Sequence, residues 1–299
     1  MKEVVFRGGR KFEPWRPLQL ILSRYIRGIA RKHIGSCPQV AIFSFDYVGL
    51  KIIQEGRYER DLLDFLVEFL VASDKDLERK TVIDIGANMG NHSLFFAQHY
   101  KHVYSFEPNP RTFKLLEVNS EGRNITALNV ALGNENGSVP LLVNISNMGA
   151  SRIVDSPTMQ RKDDLLWVDV ERLDDINVVA GESIGLIKID VEGHELRVLQ
   201  GATATMLKDR PIVLFEQHRE DIRDGSSDAI EFLSDLGYSF RVVERSFDFG
   251  EAFVLRMVGH FLRALFGSRM KLVKKERFDR RLYELIVAVP RNARGSDKT

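Results

Sequence analysis

One cysteine in 299 residues leaves Cys37 without an internal disulfide partner and excludes a Cys-rich zinc site. Nothing beside it marks an activated thiol, and a lone cysteine fits a reducing compartment. No run of ~18 or more uncharged apolar residues is present, so a spanning helix is not expected. The N-terminus is basic like a signal peptide, but Arg24 and Arg27 interrupt the apolar segment from Leu18 to Ile29 and no small-residue cleavage site is evident. The segment is read as retained. The chain also lacks a Gly-x-Ser-x-Gly elbow, a Walker A loop and any internal repeat.

Net charge is nearly absent too. Lys+Arg 43 against Asp+Glu 42 gives +1, which argues against a chain-wide nucleic-acid footprint. The distribution is uneven. Residues 1–36 carry nine basic and two acidic residues, net +7, and residues 251–281 carry nine and three, net +6, leaving −12 on the remainder. At 44% apolar and 28% charged the composition is that of an ordinary globular protein, and the length suits one large α/β domain with additions.

Within the first basic segment Leu18, Ile21, Leu22, Tyr25, Ile26 and Ile29 recur at helical spacing after Pro17. Short extended pieces are expected around Val40 to Phe45 and Leu50 to Gln54, then a helix through Leu62 to Leu70. From Thr81 onward short apolar runs alternate with helical patterns, as parallel βαβ units require. The expected strands are Thr81 to Ile85, His102 to Glu107, Thr126 to Ala131, Leu186 to Val191, Ile212 to Glu216, Tyr238 to Val243 and Tyr283 to Val289, with helices at Asn91 to His99, Arg111 to Asn119, Glu195 to Leu207 and Asp228 to Leu236. Gly133 to Asp169 should hold a hairpin at Ser138 to Val143 followed by the loop Ser146 to Ser151. The expected division is a basic extension, 1–55, a domain, 56–290, with a basic helical insertion at 244–281, and a polar tail, 291–299.

Three strand ends carry candidate chemistry. The run Val82-Ile83-Asp84-Ile85-Gly86-Ala87-Asn88-Met89-Gly90 is a buried strand entering a glycine turn and a helix. A dinucleotide fingerprint needs its second glycine where Asn88 stands, so NAD is disfavoured; an adenosine ligand without phosphate needs less clearance, and the helix start after Gly90 could attract its carboxylate. The alternative is a turn that uses glycine for geometry alone. In Phe106-Glu107-Pro108, Glu107 lies 21 residues after Gly86, where a carboxylate can accept from both ribose hydroxyls. Ala131, within Asn129-Val130-Ala131-Leu132-Gly133, could flank an adenine ring.

The third end is Ile187-Lys188-Ile189-Asp190-Val191-Glu192-Gly193-His194-Glu195. Alternation sends Lys188, Asp190 and Glu192 to one side, so the two carboxylates could share a metal, a sulfonium or an acceptor hydroxyl, while His194 could act as general base. The competing reading has Glu192 and Gly193 cap the next helix and leaves His194 in water. Glu216 could orient a substrate hydroxyl or be a satisfied edge residue. Asp174 and Asp175 most simply begin a helix, and His92, His99 and His102 read as surface histidines.

These runs, their order and the further Leu199-Gln200-Gly201-Ala202 resemble the FkbM-type methyltransferases over roughly residues 56–289. The resemblance implies the class I Rossmann-like fold, a seven-stranded sheet with an antiparallel last strand, and S-adenosylmethionine held at Asp84, Gly86, Asn88 and Glu107. It also suggests Asp190, Glu192 and His194 beside the transferred methyl, and an O-methyltransferase of sugar hydroxyls. A divalent metal could replace the base. A Rossmann-type NAD-dependent oxidoreductase and a non-enzymatic membrane adaptor are the rival readings. Expected partners are a saccharide or small-molecule acceptor and an anionic membrane surface, without nucleic acid. The expected location is the cytoplasm or the inner membrane face.

Overall fold

Neighbouring residues of the central strands are buried on opposite sides, which requires a sheet covered on both faces. The computed structural model describes residues 14–44, 46–144, 148–154, 165–246, 253–267 and 269–291. Val82, Leu186, Leu214 and Val287 enter one apolar layer with Leu63, Leu66 and Leu70, whereas Ile83, Ile187, Phe215 and Ile286 enter the other with Val198, Met206 and Leu233. Each fully buried leucine or isoleucine contributes ~1.5 to 3 kcal/mol.

The chain begins with α1 (Arg16–Arg31), α2 (Tyr47–Glu55) and α3 (Arg60–Ser73). It then alternates β1 (Thr81–Ile85), α4 (Asn91–Phe96), β2 (His102–Phe106), α5 (Pro110–Ser120) and β3 (Ile125–Leu128). The short strands β4 (Ala131–Leu132), β5 (Gly137–Leu142) and β6 (Arg152–Ile153) and the longer β7 (Leu165–Glu171) follow. Next come β8 (Ile184–Ile189), α6 (Glu195–Gly201), α7 (Thr203–Asp209), β9 (Ile212–Gln217), α8 (Asp228–Asp235) and β10 (Tyr238–Arg245). The last elements are α9 (Phe253–Phe266), β11 (Met270–Lys275) and β12 (Tyr283–Pro290).

Among the described residues the main sheet has the order β3-β2-β1-β8-β9-β12-β10-β11. β1, β2, β3, β8 and β9 pair in parallel, and β12 runs antiparallel to both β9 and β10. The expected doubly wound sheet with an antiparallel last strand is therefore present, with eight strands rather than seven. The added β11 lies inside the insertion expected to be helical, and α9 forms only its first part. β11 pairs antiparallel with β10 from Phe240↔Lys275 to Arg245↔Met270, a match that three lysines in six residues obscure. A second sheet, β4-β7-β5-β6, replaces the simple hairpin, with β5 along β7 in antiparallel register.

Local chemistry explains the other differences. Leu50 to Gln54 is helical rather than extended, because Asp46 Oδ2 accepts from the Val48 and Gly49 N–H groups and Gly56 ends the turn at φ +79°. Val40 to Phe43 forms no strand, and Phe45 lies outside the described residues. The expected helix Glu195 to Leu207 divides at Ala202, where Asp174 accepts from the Ala204 and Thr205 N–H groups and so caps the second piece. The third strand stops at Leu128, since Asn129 Nδ2 turns to the Glu107 and Pro108 carbonyls. Of the expected loop Ser146 to Ser151, Met148–Ala150 forms a single 3₁₀ turn, whereas residues 146 and 147 and the tail from residue 292 lie outside the described residues. Among the described residues no helix is long and apolar enough to cross a membrane.

Candidate functional site

The chain reverses its direction of travel across the sheet between β1 and β8, and a crevice at such a point opens beyond the carboxyl ends of the strands. There the structure has a cleft open to solvent. Gly86, Asn88, Glu107, Ala131, Lys188, Asp190, Glu192 and Glu216 line it, with Tyr47 and Val48 of α2 on another wall. The segment expected to be an extension before residue 56 thus contributes to the cleft. Met148 N donates to Asp46 Oδ1 at 3.2 Å, tying that wall to the second sheet.

The β1 turn has room for no other residue at Gly86. Its φ is +72°, and a Cβ there would lie 1.8 Å from the Asp190 carbonyl oxygen. Asp190 N donates to Ile85 O at 3.1 Å, so the turns after β1 and β8 are laced together. Asn88 adopts φ +51° and its amide donates to Glu107 Oε2 at 2.9 Å, while Asn109 N donates to Oε1 at 2.8 Å. Each carboxylate oxygen keeps a lone pair for a ligand. Burial pushes the Glu107 carboxyl up to about 7 against the pull of the Asn109 and Asn88 N–H groups. Val130, Ala131 and Leu132 supply an apolar wall nearby.

At the β8 end, Lys188 Nζ lies 3.2 Å from Asp190 Oδ2 and 3.4 Å from Asp84 Oδ1, and donates to Gly86 O. Burial opposes the ammonium charge, but Asp190 and Asp84 outweigh it and hold the Lys188 pKa above its ordinary value. Asp84 is fully buried and accepts from Ser93 Oγ at 2.6 Å. It is not among the residues that line the cleft: alternation turns Asp84, expected at the cofactor, inward to face Lys188. Gly90 is likewise absent from the wall; at φ +92° it turns the chain into α4.

Asp190 and Glu192 do reach the cleft. Glu192 takes φ +53°, and its Oε2 lies 3.1 Å from His218 Nε2. That hydrogen bond raises the His218 pKa to about 9. Burial, followed by the charge of Asp190, raises Glu216 to about 8. His194 is not in the cleft. It is 9% exposed, and a Cβ on Gly133 would lie 3.5 Å from its Nε2, which places the ring against that turn. It is therefore not left in water, as the competing reading had it, and it is not among the residues that line the cleft.

A second cavity adjoins the first and shares Tyr58, His92, Lys188, Asp190 and Glu216 with it. Its remaining walls include Leu62, Leu66, Phe96, Glu59 and Glu284. His92 is thus a cleft residue held by Glu59 at 3.1 Å rather than a surface histidine, whereas His102 Nε2 bonds Thr126 Oγ1 away from the cleft. Sequence reasoning missed the walls from Tyr47, Tyr58 and Met148; the usable signal was Asp46 before Tyr47 as a helix cap. Among the described residues no three His, Cys, Asp or Glu side chains form a group able to hold a metal.

Residues 84–240 match the sequence profile of the methyltransferase FkbM domain. The hexuronic acid methyltransferase AglP of Haloferax volcanii is 29% identical over 170 residues, covering 56% of this chain and 65% of that protein. Methyltransferase 1 of Beauveria bassiana is 30% identical over 142 residues, 40% of this chain and 57% of that protein. The chain therefore spans less than two thirds of either relative. A solved methyltransferase FkbM from Methylobacillus flagellatus shows 17% identity and a TM-score of 0.33, over 68% of this chain and 50% of that one.

Proposed function

Because the chain belongs to the FkbM methyltransferase family, we propose that it is an S-adenosylmethionine-dependent O-methyltransferase acting on a sugar hydroxyl. The observation that carries the reading is Glu107, a buried carboxylate held by two backbone N–H groups with its free lone pairs at the cleft. This suits the paired hydroxyls of an adenosine ribose. Asn88 in place of a glycine disfavours the pyrophosphate of NAD. Gly86 and Asn88 border the ligand, and Ala131 with its apolar neighbours faces the adenine.

Bound S-adenosylmethionine supplies an electrophilic methyl on a sulfonium, and transfer to oxygen leaves S-adenosylhomocysteine. The chain must then orient the acceptor and accept its proton. Asp190, fixed from behind by Lys188, orients the acceptor hydroxyl entering from the second cavity. Glu216 lines both cavities and, with a pKa near the operating range, takes the proton, the role first expected of His194. Glu192 keeps His218 charged beside it. The sugar class rests on the hexuronic acid methyltransferase of Haloferax and on the mixed lining of the second cavity, where Glu59, His92 and Asp190 stand with Leu62, Leu66 and Phe96.

Incubation with methyl-labelled S-adenosylmethionine and fractionated glycans, read by mass spectrometry, tests this. Label on a saccharide oxygen is expected. Label that appears only on non-saccharide hydroxyl compounds would overturn the sugar assignment while keeping the chemistry.

A further inference from the structure

Sixteen residues of α1 contain no buried side chain, although the helix is strongly amphipathic. At 100° per residue Arg16, Arg24, Arg27 and Arg31 fall within an arc of roughly 80°, shared with Leu20, and Leu18, Ile21, Leu22, Tyr25, Ile26 and Ile29 occupy the opposite side. Only Ile26 and Ile29 of that stripe are half-buried. Ile21 is 65% and Tyr25 67% exposed, and Trp15 before the helix is 69% exposed. Such a continuous apolar stripe requires an occupant.

Charge identifies which occupant. No acidic residue lies between Arg16 and Lys32, and among the described residues none of the four α1 arginines forms an ion pair. The second basic segment differs. Its Lys271, Lys274 and Lys275 are matched with Glu244, Glu276 and Asp279. An unpaired arginine face opposite an apolar stripe, beginning beside a tryptophan, is the arrangement of a helix that lies in the interface of an anionic bilayer. We propose that α1 docks this protein on an anionic lipid surface. The acidic remainder of the chain, repelled by the same surface, orients α1 toward it. His33 Nε2 bonds Gln54 O at 2.8 Å, so the end of α1 is fixed to α2, whose Tyr47 stands in the cleft wall roughly 10 Å further along that helix.

The test uses the full chain with Trp167→Phe, which leaves Trp15 as the sole tryptophan. Vesicles of phosphatidylcholine alone, or with about one third phosphatidylglycerol, are sedimented at low salt and at ~1 M salt, where the screening length falls to ~3 Å. Binding to the anionic vesicles alone is expected, with a blue shift of Trp15 and release by salt. Arg24→Gln with Arg27→Gln should weaken partitioning at least tenfold, since each basic residue near such a surface adds a separate increment. Ile21→Gln with Tyr25→Gln, both exposed and so compatible with folding, should abolish the blue shift. Equal recovery in the supernatant with both vesicles overturns the proposal. So does binding that neither pair of substitutions changes, or a vesicle-free dimer that Ile21→Gln with Tyr25→Gln dissociates, which would make a second copy the occupant. No readout depends on methyl transfer, so the outcome stands apart from the enzymatic reading.

Discussion

Replacing Glu107 by Gln should uncouple stability from ligand affinity in a pH-dependent way. The unfolded carboxyl ionises near its ordinary 4.5 and the folded one near about 7, raised chiefly by burial. A carboxyl raised on folding contributes stability that is complete below pH 4.5 and is lost as pH rises through about 7; the difference amounts to roughly 3 kcal/mol. Gln carries no charge and loses nothing over that range. It does have one acceptor oxygen for two N–H donors, Asn88 and Asn109, and the mismatch costs ~1 to 3 kcal/mol at every pH. The variant should therefore be the less stable protein at about pH 5, and the gap should close by ~2 to 3 kcal/mol by about pH 8. Affinity should move the other way, weakening by ~2 to 4 kcal/mol, about 30- to 1000-fold, at the higher pH. Urea unfolding across that range and calorimetric titration with S-adenosylhomocysteine measure both. A stability gap independent of pH refutes the burial argument, and unchanged affinity refutes the ribose assignment.

Lys188→Met leaves Asp84 buried without its cation and should cost ~3 to 5 kcal/mol in denaturant unfolding; a loss below ~1 kcal/mol would show that the pair is not structural. Gly86→Ala places a Cβ 1.8 Å from a backbone oxygen at positive φ, so a loss above ~4 kcal/mol is expected, and wild-type melting would contradict the close approach of the two turns. Methyl transfer should rise with pH through about 8 as Glu216 deprotonates; Glu216→Gln should remove that rise with a ~10²- to 10⁴-fold rate loss, while His194→Ala keeps it. The reverse pattern would return the base to His194.

What could be read from the chain depended on the range of the interactions that decide it. Thr81 to Ile85 and Leu186 to Ile189 are mostly apolar runs, each broken by one charged residue and followed by glycine or charge, so strand position and burial follow from the pattern and alternation puts Lys188 and Asp190 on one side; Glu192 reaches the cleft from beyond the strand, at φ +53°. The same alternation should have turned Asp84 inward, since it shares a face with Val82. His194 was not legible, because its place depends on contact between distant turns: a Cβ at Gly201 would lie 1.8 Å from Gly133 O, and that approach brings the ring under Gly133. Tyr47 and Met148 meet through Asp46 across about a hundred residues of chain, and no local pattern encodes that.

The added strand β11 changes what the sheet offers to other chains. Without it β10 would end the sheet, and a row of unpaired N–H and C=O groups beside Phe240 and Val242 would be open to any extended segment that came past. With it the open row belongs to a six-residue strand bearing Lys271 and Lys274, whose ammonium groups would have to shed water before an incoming strand could pair. A deletion confined to residues 270–275, which leaves β12 between β9 and β10, would keep the rest of the sheet yet gain an adhesive edge at β10, so loss of this short segment should first be seen as aggregation.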